Sequence, residues 1–296
     1  MKQWEKLTYT NARGESIDFS RASRYHINFK DVTGLSDVRS TIYSASSMGQ
    51  DGDTLIGTRV EARDIDIVGH LNTTDPVERQ AMRRRLNRVM NPHEGGTLTY
   101  EFAGTKRVIS CIPENSPVYS RKEKIFEKFS VSLSCLNPYW RDSGAIRTDI
   151  ATWEPLMEFP EDGLELVEGE WEIAARTESL IANIINAGDV NTGIEVSFSA
   201  SASVRNPEII DIVTGDYIRI NTEMQPGDTI IVKTGYGVKS VRLIRGGAES
   251  NAFRLLDPGS TYLQLVPGDN LIRYNAADGL NSLDVSVKHD NLYLGV

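Results

Sequence analysis

From Phe129 to Cys135 the chain alternates strictly: Phe129, Val131, Leu133 and Cys135 fall on one side, Ser130, Ser132 and Ser134 on the other. A period of two is the side-chain period of a β-strand with one face in a core and one in water. The same pattern recurs in Arg63–Gly69, where Ile65 and Ile67 alternate with Asp64 and Asp66. It recurs again in Leu98–Phe102, just after the turn signal Gly95-Gly96. In the second half, Ile194, Val196 and Phe198 alternate with Glu195, Ser197 and Ser199. Ile218 and Ile220 repeat the pattern, as do Leu283, Val285 and Val287. Turn signals at Pro226-Gly227-Asp228, Arg245-Gly246-Gly247, Asp257-Pro258-Gly259 and Pro267-Gly268-Asp269-Asn270 separate these runs. Many short strands between tight turns predict a β-sandwich or jelly roll for the second half. The first half reads as a sandwich or barrel of strands around a single helix.

That helix is the one clear departure from the β period. Asp75 is placed to cap it, Pro76 suits its first position, and Glu78 stands where a capping box needs an acid. Val77, Ala81, Met82, Leu86, Val89 and Met90 predict one apolar stripe, and Asn91-Pro92 ends the helix. The remaining faces carry Arg79, Arg83, Arg84, Arg85 and Arg88. Three readings fit them: a solvated face paired with acidic neighbours, an interface with an acidic partner subunit, or a nucleic-acid contact. No aromatic residue interleaves with the arginines, which argues against stacking on single strands.

The net charge of −9 is unevenly spread. Residues 1–141 carry 21 Lys and Arg against 17 Asp and Glu, a balance of +4. Residues 142–296 carry 11 against 24, or −13. A sign change of this size between halves predicts two domains in different surroundings. Between them, residues 154–172 hold eight acidic groups and no basic one, with two prolines and two glycines. The expected organisation is a domain over 1–142, an acidic linker or edge over 143–172, and a β-sandwich over 173–296.

Motifs for chemistry are lacking. His26, His70, His93 and His289 show no zinc-binding spacing, and the acidic segment lacks the alternate carboxylates of a calcium loop. Neither a phosphate-binding loop nor a nucleophile elbow is present. Asp64 and Asp66 share a strand face, which solvent-facing alternation explains without catalysis. Cys111 and Cys135 read as buried, reduced thiols, since nothing at Met1–Lys6 resembles the apolar core of an export signal. No apolar run approaches the roughly 18 residues of a membrane span. The expectation is a non-enzymatic binding or assembly protein, without cofactor or metal, made in the cytosol.

Several segments resemble the distal tail protein family of siphophages and related prophages. They are Ile65–Leu71 followed by Asp75, Arg79 and Arg88-Val89-Met90-Asn91-Pro92; Gly96-x-Leu98-x-Tyr100; and Cys135-Leu136-Asn137-Pro138-Tyr139-Trp140-Arg141-Asp142. Farther on come Asn186-Ala187-Gly188-Asp189-Val190-Asn191-Thr192, Thr214-Gly215-Asp216, Ser260-x-Tyr262-x-x-Leu265, Gly268-Asp269-Asn270 and Tyr293-Leu294-Gly295-Val296. They span nearly the whole chain and keep the family's order.

The resemblance implies a tail-tip subunit that closes into a hexameric ring. Its N-terminal domain would form the ring below the tail tube protein, and a galectin-like C-terminal sandwich would project outward. A tail-associated hub protein would bind the other side, receptor-binding proteins would dock at the periphery, and double-stranded DNA would pass through without sequence recognition. Nothing in it calls for membrane insertion. On that placement Arg79, Arg83, Arg84, Arg85 and Arg88, with Arg121, Lys122 and Lys124, belong to a subunit contact or to the channel. The contact is the preferred reading, because guanidinium forks suit buried carboxylates. The loop from Ile112 to Lys124 is either an arm to a neighbour or an ordinary hairpin. The rival function is a carbohydrate-binding module contacting host cell-wall glycans, with Tyr236, flanked by Gly235 and Gly237, as the candidate platform.

Overall fold

The computed structural model describes residues 5–120, 127–150, 153–155, 174–176 and 180–296, with 153–155 and 174–176 described as backbone. The chain divides into two compact units: Met1–Ser143 together with Leu292–Val296, and Gly144–Asn291. The last five residues therefore return to the first unit.

The first unit contains β1 (Lys6–Asn11), β2 (Ser16–Ser20), β3 (Tyr25–Thr33), β4 (Ser40–Ala45), β5 (Thr54–Val60) and β6 (Arg63–Leu71). Helix α1 (Pro76–Val89) follows, then β7 (Gly96–Phe102), β8 (Thr105–Pro113), β9 (Val118–Ser120), β10 (Glu127–Cys135) and β11 (Trp140–Asp142). Its main sheet runs Leu292–Tyr293, β11, β8, β7, β1, β2, β3, β6, β10, β9, and a further pairing of β8 with β10 closes the middle of it into a barrel. Closure satisfies backbone groups that an open sheet would leave at its edges. Leu7, Tyr9, Phe19, Ile27, Ile65, Ile67, Phe129, Val131 and Leu133 fill the interior, each supplied by the inward set of an alternating strand. The alternation of residues 129–135 is realised in full, with all four apolar residues buried.

Helix α1 packs Met82, Leu86, Val89 and Met90 against that core. Asp75 caps it as expected, accepting from the backbone N–H groups of Val77 and Glu78, and Pro76 begins it. Two details depart from expectation. Val77 is 78% exposed and Ala81 is also exposed, so the stripe is confined to the helix's later turns. Glu78 does not complete a capping box: its carboxylate takes the Thr73 hydroxyl and pairs with Arg24 at 2.8 Å, while the Thr73 oxygen takes the Asp75 N–H. Phe102, on the predicted inward set of its strand, is exposed at the β7–β8 turn.

The second unit is a sandwich. One sheet orders Ile146–Asp149, Leu283–His289, Thr192–Ala200, Thr229–Lys233, Ser240–Arg245 and Ala248–Asn251. The other orders Ile181–Asn186, Gly268–Asn275, Glu208–Asp211 and Tyr217–Arg219. Val196, Phe198, Ile230, Val232, Val285 and Val287 of the first meet Ile184, Ile209, Ile218, Ile272 and Tyr274 of the second in one core. Most of the segment expected to be an acidic linker, and Trp171 within it, lies outside the described residues. Its flanks Trp153–Pro155 and Ala174–Arg176 pair antiparallel.

In the second unit a buried carboxylate, Asp228, pairs with the solvent-exposed Arg245, and the pair is expected to make this unit sensitive to acid. Asp228 is 2% exposed and receives Arg245 Nε at 2.9 Å and the Gln225 N–H at 2.8 Å. Arg245, with burial opposing it, holds the Asp228 carboxyl below the usual carboxylate range. A pKa lowered by folding adds stability above the unfolded value of about 4, and that stability is lost as pH falls through the lowered value. In urea titrations, Asp228→Asn is therefore expected to be less stable than the parent at pH 7. The gap should narrow below about pH 4. An unchanging gap across that range would show that the pair's ionisation contributes nothing.

Candidate assembly surface

The arginines of α1 are mostly engaged within their own unit. Arg79 donates to the Thr73 carbonyl at 3.3 Å, Arg85 to the Ser16 carbonyl at 3.1 Å, and Arg88 pairs with Glu15 at 3.1 Å. Arg83 lies over the Tyr119 ring at 4.4 Å and 3.7 Å from the buried carboxylate of Glu127. Among the described residues Arg84 alone of the five makes no hydrogen bond or ion pair. With Val77, Ala81, Arg85 and Arg88 it lines a shallow outward groove along the helix. Arg121, Lys122 and Lys124 lie outside the described residues. The stretch just before them is β9, which pairs with β10, and Tyr119 ties it to the helix by donating to Asn87 Oδ1 at 2.7 Å.

A more prominent feature had no signal in the strand alternation. Strands β4 and β5 form a two-stranded hairpin apart from the barrel sheet, and nearly every side chain on it is exposed. Ile42 is 66%, Leu55 63% and Ile56 70% exposed, with Tyr43 and Met48 alongside. The register slips between Tyr43 and Ser44, bulging the β5 strand at Ile56. A hairpin of this kind is marginal in water by itself, and clustered aliphatic side chains on both faces are characteristic of a contact surface.

The segments that resembled a family turn out to hold the two units' own frameworks. Arg63, aligned with the inward residues of β6, is 3% exposed and makes no ion pair among the described residues. Its guanidinium donates instead to the carbonyls of Pro138 and Gly34, both at 2.7 Å, to Leu35 at 3.0 Å, to Asp37 at 3.3 Å and to Leu294. Trp140 is buried in the same block and donates its indole N–H to Leu35 at 3.0 Å. The chain end is held by Arg107, which donates to Gly295 at 2.8 Å and covers the Tyr293 ring at 3.4 Å. Gly34 itself must be glycine: its φ is +82° and a Cβ would fall 2.0 Å from the Asp64 carbonyl oxygen. In the second unit Asn186 and Asn270 are buried amides: Asn186 donates to the carbonyls of Val190, in the loop that follows it, and Leu265, and Asn270 to those of Val266 and Gly268, in the turn that precedes it, and Ile184. These side chains support turns and closures.

Asp64 and Asp66 receive the hydroxyls of Ser134 and Ser132 across the strand pair. Tyr236 is exposed at its glycine turn, and the Lys239 ammonium stands 5.7 Å from its ring and 4.1 Å from that of Tyr262. Tyr274 is buried in its strand. Among the described residues no group of three or more His, Cys, Asp and Glu is arranged to hold a metal, and no helix is long and apolar enough to cross a membrane.

Comparison with known proteins decides the family. Residues 18–135 match the phage tail protein RIFT-related domain, and residues 187–293 match the C-terminal domain of the siphovirus-type tail component. The chain belongs to the distal tail protein family of siphophages. Its fold agrees with that of the SPP1 Dit protein, described as a paradigm of the hub adsorption apparatus in phages infecting Gram-positive bacteria. The TM-score is 0.67 at 13% identity over 97% of this chain and 98% of that one. The phage P2 baseplate in its activated conformation, with calcium or with strontium, gives a TM-score of 0.51 at 10% identity, again over 97% and 98% of the two chains. No curated protein matches the sequence. As a distal tail protein the chain has a structural role in the phage tail and baseplate.

Proposed function

We propose that this distal tail protein closes into a hexameric ring that joins the tail tube to the tail-associated hub and offers its periphery to receptor-binding proteins. The observation that carries the reading is the pair of tail-component matches, one in each unit and in family order. The first unit forms the ring and the second projects outward. Double-stranded DNA passes through the ring without sequence recognition, and the protein catalyses no reaction. Synthesis and assembly take place in the host cytoplasm.

The ring contact is made by the β4–β5 hairpin, whose exposed aliphatic residues require a partner of matching surface, here the adjacent copy. The groove of α1, with Arg84 at its centre, adds a polar contact that receives a carboxylate of the neighbour. Light scattering after size exclusion, over a range of protein concentrations, tests the reading. A particle of about six times 32.9 kDa is expected. A strict monomer at every concentration, alone and with the tail tube and hub proteins present, would overturn it.

A further inference from the structure

The barrel of the first unit closes through a short seam. Strands β8 and β10 pair only at Leu133 with Pro113 and Ser134 with Ile112, supplemented by the Glu114 N–H donating to the Ser132 carbonyl at 3.0 Å. Extending that register by one residue sets Cys135 opposite Cys111. The ladder also settles which kind of pair this is. Glu114 opposite Ser132 is a hydrogen-bonded position, so Ile112 opposite Ser134 is another. Pro113 opposite Leu133, where a proline can donate nothing, is the non-hydrogen-bonded position between them. Cys111 opposite Cys135 is then again non-hydrogen-bonded, the class in which facing Cα atoms stand about 4.5 Å apart. Disulfides span Cα separations of roughly 4.4–6.8 Å.

Burial agrees with the register. Cys111 and Cys135 are 3% and 0% exposed, lie in the same core and are free thiols. The neighbouring Cys135 thiol, together with burial, holds the Cys111 thiol above its ordinary pKa. Cys135 is also the register partner of Arg63 across the β10–β6 pair.

We propose that Cys111 and Cys135 are a cross-strand disulfide site, reduced in a thiol-rich medium and joined by a small disulfide oxidant, so that the barrel seam acquires a covalent latch. The Cys135 thiolate attacks the oxidant's disulfide, forming a mixed disulfide and releasing one thiol. Cys111, losing its proton to solvent, attacks the Cys135 sulfur, forms the Cys111–Cys135 bond and releases the second thiol. Two protein thiols are oxidised as one external disulfide is reduced to two thiols. Both sulfurs are shielded, so reaction waits on local opening of the two-pair seam and is slow compared with that of an exposed thiol. A tail particle that leaves a reducing cell for an oxidising medium meets the conditions under which such a latch closes.

Oxidised glutathione is the probe. The full chain is incubated with it under native conditions, and remaining thiols are alkylated in denaturant before intact-mass and peptide analysis. The expected product is a monomer lighter by about 2 Da that takes up no alkylating agent. The peptide of Cys111 is joined to that of Cys135, and the thermal midpoint rises and returns on reduction. Recovery of two alkylated cysteines after prolonged incubation would overturn the proposal. So would a stable glutathione adduct on one cysteine, or cross-links between chains. Cys111→Ser, which can form no internal bond, identifies which product an adduct represents.

Discussion

Replacing Arg63 by methionine is expected to destabilise the first unit by about 3–5 kcal/mol, with no loss at all of an ion pair. The side chain is buried and its partners are carbonyl oxygens: those of Gly34, Leu35, Asp37, Pro138 and Leu294. Methionine fills much of the volume and leaves these acceptors facing an apolar group. Three segments distant in sequence lose their common donor together, so the cost exceeds that of one hydrogen bond. Arg63→Lys keeps the charge and is expected to recover little, because one ammonium cannot span acceptors arranged around a planar fork. Urea denaturation of the full chain measures both variants. A change for Arg63→Met within about 0.5 kcal/mol would mean that water or rearranged backbone serves these carbonyls equally well.

The second large effect is expected in assembly, with folding unaffected. Ile42 and Leu55 are more than half exposed on a hairpin outside the barrel sheet, so aspartate at either position meets only solvent in the isolated subunit. In the proposed ring each side chain would become buried against the adjacent copy. Burying a side chain of this size contributes about 1.5–3 kcal/mol, and putting a carboxylate in its place adds a desolvation cost. Ile42→Asp combined with Leu55→Asp is expected to weaken each subunit contact by more than about a hundredfold. The thermal midpoint of the subunit should stay within about 2 °C of the parent. Light scattering is then expected to give the mass of one chain at concentrations where the parent gives the mass of the proposed ring. If the double variant assembles like the parent, the hairpin has no part in the contact.

Local pattern determined most of the architecture. The period of two names the inward residues of β6, β10 and both sheets of the second unit, because a strand's faces follow from its pleat whatever it pairs with. The helix was legible for the same reason: Asp75, Pro76 and the spacing of Met82, Leu86 and Val89 act within one or two turns. The arginines of α1 were legible as a basic face. Whom they would meet was not, since Ser16, Glu15 and Glu127 come to the helix from elsewhere in the chain.

What only the tertiary structure decided concerns partners brought from far away. The period of β6 sets Arg63 on the inward side with Ile65 and Ile67, but nothing in it says that the guanidinium there meets five carbonyls. That depends on where residues 34–37, 138 and 294 pass. Val77 and Ala81 fit the apolar stripe by spacing, yet the core beneath α1 reaches only its later turns. Glu78 had a capping position and took Thr73 and Arg24, which the chain placed closer. The β4–β5 hairpin escaped notice because alternation detects strands that have one face in a core, and this hairpin has none in its own chain. Cys111 and Cys135 could each be assigned to a buried face from sequence alone, but their opposition across the seam exists only because the sheet closes. Closure is a property of the whole barrel's strand order and stagger, and no single strand encodes it.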